Sequence, residues 1–95
     1  MKIEEMQNKA VEAVGERLNR KGITPCIDLT MTHLMEEIGE IARQINNGKL
    51  KRKEVDIQNI GEEISDSIIL LALLASQYNI NLEKVLTDKI NSVHK

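Results

Sequence analysis

The sequence GEEISDSIILLALLA, residues 61–75, decides the fold class of this chain. Ile57 and Ile60, which precede this stretch, and Ile64 in its first half recur at the spacing of one helix face. Residues 68–75 are instead apolar without interruption, and a helix that is apolar all round must be covered on every side. We therefore predict one long helix over residues 57–78, which is one-sided at its start and enclosed at its end.

Three further helices are predicted around this one. Apolar residues at helical spacing indicate a first helix over residues 3–20, which Gly22 would end. Asn81 is a candidate N-cap for a last helix from residue 82 to about residue 94. The second helix, which we expect to end near residues 46–48, has an apolar stripe formed by Leu34, Ile38, Ile41 and Ile45.

Two connecting segments separate these helices. Residues 23–28 surround the single proline, Pro25, and read as a connection, after which Thr30 or Thr32 would cap the second helix. Residues 49–56 are charged and lack a wide apolar face, so we predict a linker there. No stretch alternates as a strand does. The expected fold is therefore all-α, with four helices joined by short loops.

Chain length bounds the size of the core. With 95 residues, we expect a single domain over residues 1–95. Leu, Ile and Val supply 28 residues, which is enough for a core. A domain of this size nevertheless buries only about 60–70% of its unfolded surface. Because three partner helices are too few to enclose residues 68–75, we infer that the protein is oligomeric and that another subunit covers part of this segment.

Charge and aromatic content exclude several classes of protein. The chain has 13 basic and 15 acidic residues, so it has no basic excess for nucleic acid or a membrane surface. Tyr78 is its single aromatic residue, which argues against base stacking. The longest apolar run has eight residues, against about 18 for a membrane span. Cys26 has no partner for an internal disulfide and suits a reducing compartment, so we expect a cytoplasmic protein.

Acidic residues repeat at three-residue spacing in the second and third helices. Glu37 and Glu40 share one helix face, and so do Glu63 and Asp66. If the two apolar stripes pack together, both acidic pairs border one groove, where like charges repel and raise proton affinity. A divalent cation would neutralise them. Carboxylates without His or Cys form a hard-ligand site suited to Mg²⁺ or Mn²⁺, which commonly bridges to phosphate oxygens.

The alternative is that these acids are solvated and carry no function. Glutamate is a strong helix former, and such pairs are common on exposed helix faces. Exposed acids usually have basic neighbours, however, and here Glu36 meets Glu40 while Glu62 meets Asp66 at repulsive spacings. Of these acids, only Glu40 has a close cation, Arg43. This imbalance favours a bound metal, although a non-catalytic helical interaction module stays open as the alternative.

The two acidic motifs resemble those of the MazG-like, all-α nucleoside triphosphate pyrophosphohydrolases. The family pattern is Glu-x-x-Glu followed by Glu-x-x-Asp, and residues 37–40 and 63–66 match these two elements with 22 residues between them. Glu36, Gly39 and Glu62 also match the usual flanking positions. The resemblance covers residues 32 to about 89. It implies a four-helix bundle in paired units, a homodimer or a dimer of dimers.

The resemblance also implies an activity, the hydrolysis of a nucleoside or deoxynucleoside triphosphate to the monophosphate and pyrophosphate. By position, Mg²⁺ would be held by Glu37, Glu40, Glu63 and Asp66. Glu36, beside these residues, is our candidate general base. Lys89 and, as a weaker match, Asn91 would bind the phosphates. A phosphoribosyl-ATP pyrophosphatase shares the architecture and metal chemistry and is the closer alternative.

A basic cluster and a histidine each have a functional and a structural interpretation. Lys49 and the basic residues at 51–53 could reach substrate, but a solvated loop is the favoured interpretation. His33 lies one helical turn before Glu36 and Glu37 and could contact substrate, but a lone helical histidine is more often structural. Because Tyr78 alone could stack on a base, selectivity for the base would depend on aliphatic and backbone contacts.

Overall fold

The computed structural model describes residues 2–50 and 54–94. Within these ranges the chain forms four α-helices and no strand: α1 (Ile3–Arg20), α2 (Ile27–Leu50), α3 (Ile57–Gln77) and α4 (Leu82–Val93). The predicted all-α, four-helix fold is confirmed. The first helix has the predicted bounds, while α3 and α4 each end one residue before the predicted position.

The second helix is longer than the sequence predicted. It begins at Ile27, so Thr30 and Thr32 lie inside it and the expectation that they cap it is wrong. The Thr30 hydroxyl instead donates to the carbonyl oxygen of Cys26 at 3.1 Å. At the other end, helical hydrogen bonding continues through residues 46–48 to Leu50, which shortens the predicted linker. Residues 51–53 of that linker lie outside the described ranges.

Side-chain caps begin the third and fourth helices. The carboxylate of Asp56 accepts from the backbone N–H of Asn59 at 3.1 Å. The predicted cap at Asn81 is confirmed, since its Oδ1 accepts from the N–H of Lys84 at 3.2 Å. Between these helices, Asn79 adopts a left-handed conformation with φ of 57°, which asparagine tolerates better than most residues. This turn redirects the chain from α3 into α4.

The helix α3 is the centre of the packing. It contacts α1, α2 and α4, whereas α2, as far as the structure describes it, packs on α3 alone. The buried apolar side chains come mostly from α3 and are Ala10, Leu34, Leu70, Ala72, Leu73 and Ala75. The molecule measures 46 × 43 × 24 Å and has a radius of gyration of 15.5 Å, against about 12.4 Å for a compact domain of this length. The four helices therefore form an open, flat arrangement.

A buried glutamine ties α1 to the turn between α3 and α4. Gln7 is only 5% exposed, and its Nε2 donates to Ser76 Oγ at 2.9 Å and to the carbonyl of Ile80 at 2.8 Å. Its Oε1 accepts from the backbone N–H of Leu82 at 3.1 Å. We call these four residues the Gln7 cluster. It joins three of the four helices through one side chain.

None of the described helices combines the length and the apolar character that a membrane crossing requires.

Candidate metal centre

Three carboxylates from two helices converge in the groove between α2 and α3. One carboxylate oxygen each from Glu37, Glu63 and Asp66 lies within 4.8 Å of the other two. Glu37 and Glu63 are half-buried, and Asp66 is exposed. Glu63 and Asp66 share a face of α3 because they are three residues apart, and the packing of α2 on α3 brings Glu37 to that face. We call these three residues the acidic group.

Contact with the Glu37 carboxyl changes the affinity of Glu63 for protons. The pKa of Glu63 is raised above its ordinary value, first by a hydrogen bond with the Glu37 carboxyl, then by desolvation, and then by repulsion from the Glu37 charge. Two carboxylates cannot accept from each other, so the hydrogen bond requires a proton on one of them. A cation in this groove would replace that proton and remove the repulsion.

The acidic group fits a hard divalent cation. Oxygens bound to one Mg²⁺ lie about 2.1 Å from the ion, so they are about 3–4 Å from one another. A mutual spacing within 4.8 Å needs only small side-chain rotations to reach that geometry. The donors are carboxylate oxygens, which suit Mg²⁺ or Mn²⁺ better than Zn²⁺. If bound there, the ion would keep positions for water or phosphate oxygens.

The fourth predicted ligand lies apart from this group. Glu40 is half-buried, and its Oε1 accepts from Nη2 of Arg43 at 2.7 Å. In this conformation Glu40 is not a member of the acidic group. Its spacing from Glu37 places it on the same flank of α2, so a change of rotamer would turn it toward the groove. Ligation by Glu40 therefore stays a prediction.

The remaining predicted site residues are exposed and dispersed. Glu36 lies on the outer side of α2, where it lines a shallow depression with Met31, Thr32 and Met35. Lys89 and Asn91 are exposed on α4, which has no described contact with α2. Their roles stay predictions. Lys49 is exposed at the end of α2, and the rest of the basic cluster, residues 51–53, lies outside the described part of the chain.

Sequence reasoning gave too little weight to one neighbour of the acidic group. Nε2 of His33 lies 3.4 Å from a carboxylate oxygen of Glu37, one helical turn away. The signal was present in the sequence, because residues four apart face each other on a helix. His33 is therefore the basic side chain nearest to the acidic group among the described residues.

Comparisons with known proteins place the chain in a family. Residues 27–95 match the MazG nucleotide pyrophosphohydrolase domain. A curated protein of Bacillus subtilis (strain 168), "Uncharacterized protein YpjD", is 39% identical over 57 residues, which cover 57% of this chain and 51% of that protein. The match thus spans about half the length of this relative. No solved structure gives a significant match.

The matched segment begins where α2 begins and contains both acidic motifs. Its length is well over half of the chain, and it includes all three members of the acidic group. This protein therefore belongs to the MazG nucleotide pyrophosphohydrolase family.

Proposed function

We propose that this protein is a Mg²⁺-dependent pyrophosphohydrolase that converts a nucleoside or deoxynucleoside triphosphate into the monophosphate and pyrophosphate. The convergence of Glu37, Glu63 and Asp66 within 4.8 Å carries the proposal, since no basic side chain other than His33 meets them among the described residues. Family membership supports the reaction class. Mn²⁺ is the expected substitute for Mg²⁺ because both prefer carboxylate oxygens.

In this proposal the acidic group, joined by Glu40, holds the cation. Glu40 leaves Arg43 and turns toward Glu37, which an exposed ion pair worth less than about 1 kcal/mol permits. When bound, Mg²⁺ supplies charge neutralisation and a lowered pKa for water. The carboxylates of α2 and α3 would fix the position of that cation between the two helices. In the hydrolysis, the oxygen of a water molecule bonds to the α-phosphorus, the bond from the α-phosphorus to the oxygen that bridges it to the β-phosphorus breaks, pyrophosphate leaves, and the proton of the water passes to a general base.

Glu36 is the proposed general base. It would accept a proton from the attacking water, and it can do so only within hydrogen-bond reach of that water. Lys89 and Asn91 would bind the phosphate oxygens that the metal leaves free. Because α4 has no described contact with α2, these two residues need either a movement of α4 or a second subunit to reach the groove. A homodimer or a dimer of dimers, in the cytoplasm, completes the proposal.

A substrate panel tests the reaction. The purified full chain is incubated with each common ribo- and deoxyribonucleoside triphosphate and with phosphoribosyl-ATP, with Mg²⁺, and pyrophosphate release is measured. We expect release with at least one triphosphate. Glu63→Gln and Asp66→Asn should each lower the rate by at least about 100-fold, since metal charge contributes several kcal/mol to such transition states. Glu62→Gln, next to Glu63 but outside the acidic group, is the matched control.

The outcomes separate the three candidate functions. No release with any substrate, and unchanged or raised stability in Glu63→Gln, would favour the non-catalytic interaction module. Release of pyrophosphate from phosphoribosyl-ATP alone would favour the alternative that the protein is a phosphoribosyl-ATP pyrophosphatase. Full activity in both Glu63→Gln and Asp66→Asn would contradict the proposed metal site even if the reaction were observed.

A further inference from the structure

The ion pair of Glu40 and Arg43 lies beside the acidic group on α2. Nη2 of Arg43 is 2.7 Å from Oε1 of Glu40, and the two residues are three positions apart. The side chain of Arg43 is 66% exposed and that of Glu40 is 42% exposed, so water screens the pair and its contribution to stability is small. Such a pair is easily replaced when either residue meets a stronger partner.

Glu40 has the same helical relation to Glu37 as it has to Arg43. Each of them is three residues away, so each is displaced from Glu40 by about 60° around the helix axis and by about 4.5 Å along it, in opposite directions. The carboxylate of Glu40 can therefore turn toward Arg43, as in this structure, or toward Glu37 and the groove. When it turns toward Glu37, the guanidinium of Arg43 loses its partner.

Basic side chains are scarce along the groove. The helix α3 contains no lysine, arginine or histidine, and α2 contains His33, Arg43 and Lys49. Lys49 lies nine residues beyond Glu40, which is about 13.5 Å along the helix, whereas Arg43 lies about one turn beyond it. Of the lysines and arginines on these two helices, Arg43 is therefore the one nearest along the chain to the acidic residues of α2.

An unpaired guanidinium at this position has the chemistry of a phosphate ligand. Its N–H groups form a planar fork that can donate two parallel hydrogen bonds to the oxygens of one phosphate group. A triphosphate carries more negative charge than one divalent cation neutralises, so basic groups have to bind the remaining oxygens. Lys89 and Asn91 lie on α4, which has no described contact with α2. Arg43 already lies on the helix that carries Glu37 and Glu40.

We propose that Arg43 binds a phosphate group of the triphosphate substrate once Glu40 has turned from Arg43 toward the acidic group. The two residues exchange partners, since Glu40 then contacts the cation and Arg43 contacts the substrate. This inference rests on the proposed function, because it presupposes a triphosphate and a cation held by the acidic group. It adds a substrate-binding residue on α2 and couples the binding of the cation to the binding of phosphate.

Calorimetric titration of Mg²⁺ into the metal-free full chain, without nucleotide, tests the release of Glu40. Arg43→Gln should tighten Mg²⁺ binding by about two- to fivefold, which corresponds to the loss of an exposed ion pair, because Glu40 is then free to turn. Removal of a positive charge near a cation also tightens binding through space. The two causes are separated by combining the variants: in the Glu40→Gln background, Arg43→Gln should leave the Mg²⁺ affinity unchanged.

Inorganic triphosphate, titrated at saturating Mg²⁺, tests the phosphate contact without a base or a sugar. Arg43→Gln should weaken its binding by at least about tenfold, because hydrogen bonds between charged groups are lost. Arg43→Lys should recover part of this loss, since lysine keeps the charge but lacks the planar fork. Arg17→Gln, which removes an exposed arginine of α1, is the matched control and should change neither affinity.

Three results would each overturn the proposal: an unchanged Mg²⁺ affinity in Arg43→Gln, a tightening that persists in the Glu40→Gln background, or triphosphate binding that Arg43→Gln leaves unchanged. Circular dichroism checks that every variant keeps its helices. The titrations measure binding and not hydrolysis. If they give the expected results while no nucleotide releases pyrophosphate, the proposed reaction fails and the assignment of Arg43 stands.

Discussion

Two polar sites along α3 differ in where their bonding partners come from. In the Gln7 cluster, one buried side chain makes three hydrogen bonds, all to groups of its own chain. In the acidic group, carboxyls face one another and His33 is the only basic side chain of the described residues within 4.0 Å. Buried polar groups in native proteins are normally satisfied. The first site therefore serves the fold, whereas the second leaves carboxyl groups that, under the proposed function, hold a cation from solution.

The largest effect on stability is expected at the Gln7 cluster. Gln7→Leu keeps the side-chain volume close but leaves the N–H of Leu82 and the carbonyl of Ile80 without their partner. We expect the free energy of unfolding to fall by about 3 kcal/mol, because each orphaned group costs about 1–3 kcal/mol. Urea unfolding at fixed protein concentration measures this.

The same variant tests whether the two sites are independent. Below its unfolding transition, Gln7→Leu should retain the wild-type Mg²⁺ response, since Gln7 bonds to Ser76, Ile80 and Leu82 and to no member of the acidic group. Gln7→Glu is a useful companion, because it retains an acceptor for Leu82 but loses the donors to Ser76 and Ile80. If the free energy of unfolding of Gln7→Leu is close to that of the wild type, the Gln7 cluster does not stabilise the fold, and the contrast between the two sites fails.

A smaller effect is expected from Mg²⁺ at the acidic group. A ligand at one hundred times its Kd stabilises by about 2.7 kcal/mol, so Mg²⁺ should raise the Tm of the wild type. The effect should grow as pH rises through the raised pKa of Glu63, because binding requires a deprotonated carboxylate there. Thermal unfolding with and without Mg²⁺ at a series of pH values measures it.

Without metal, the contribution of this site to folding stability should fall, not grow, as pH rises. The pKa of Glu63 is raised in the folded chain, so its contribution to stability is present below the ordinary value of 4.5 and is lost as pH rises through the folded pKa. Glu63→Gln should flatten this dependence and remove the Mg²⁺ response, while Glu62→Gln should alter neither. A Mg²⁺ response that survives in Glu63→Gln would show that the ion binds elsewhere.

The smallest effects are expected at the two helix caps. Asn81→Ala and Asp56→Ala each remove one capping hydrogen bond and should cost about 1 kcal/mol. Asn81 adjoins the Gln7 cluster, and Asp56 begins the helix that carries the acidic group. Neither variant should change the Mg²⁺-induced rise in Tm. A loss of that rise in Asp56→Ala would mean that fraying of the first turn of α3 reaches Glu63.

The regular features of the fold could be predicted from helical spacing. The bounds of α1 and the cap at Asn81 follow from apolar periodicity and capping chemistry, and both are confirmed. The ends of α2 could not be predicted in this way. Asparagine and glycine near residue 48 normally mark a helix end, but intrahelical bonding continues past them. At the start, Thr30 bonds back to Cys26 instead of capping.

The acidic group could be predicted because three-residue spacing places Glu63 and Asp66 on one face of α3, and because the packing of the apolar stripes brings Glu37 of α2 next to them. Arg43 could be identified from the sequence as the cation next to Glu40, but helical spacing alone could not predict that Glu40 pairs with Arg43 instead of joining the acidic group. The role of Gln7 was also missed. It occupies the apolar stripe of α1, between Ile3 and Ala10, and a polar residue in such a position signals a buried hydrogen-bonding partner elsewhere in the chain.

The helix that contributes Gln7 lies outside the segment shared with the family, which begins at residue 27. The tie between α1 and the turn that joins α3 to α4 is therefore supplied by sequence that the family match does not cover. Substitutions in α1 can change how firmly these helices are held together without altering a carboxylate of the acidic group.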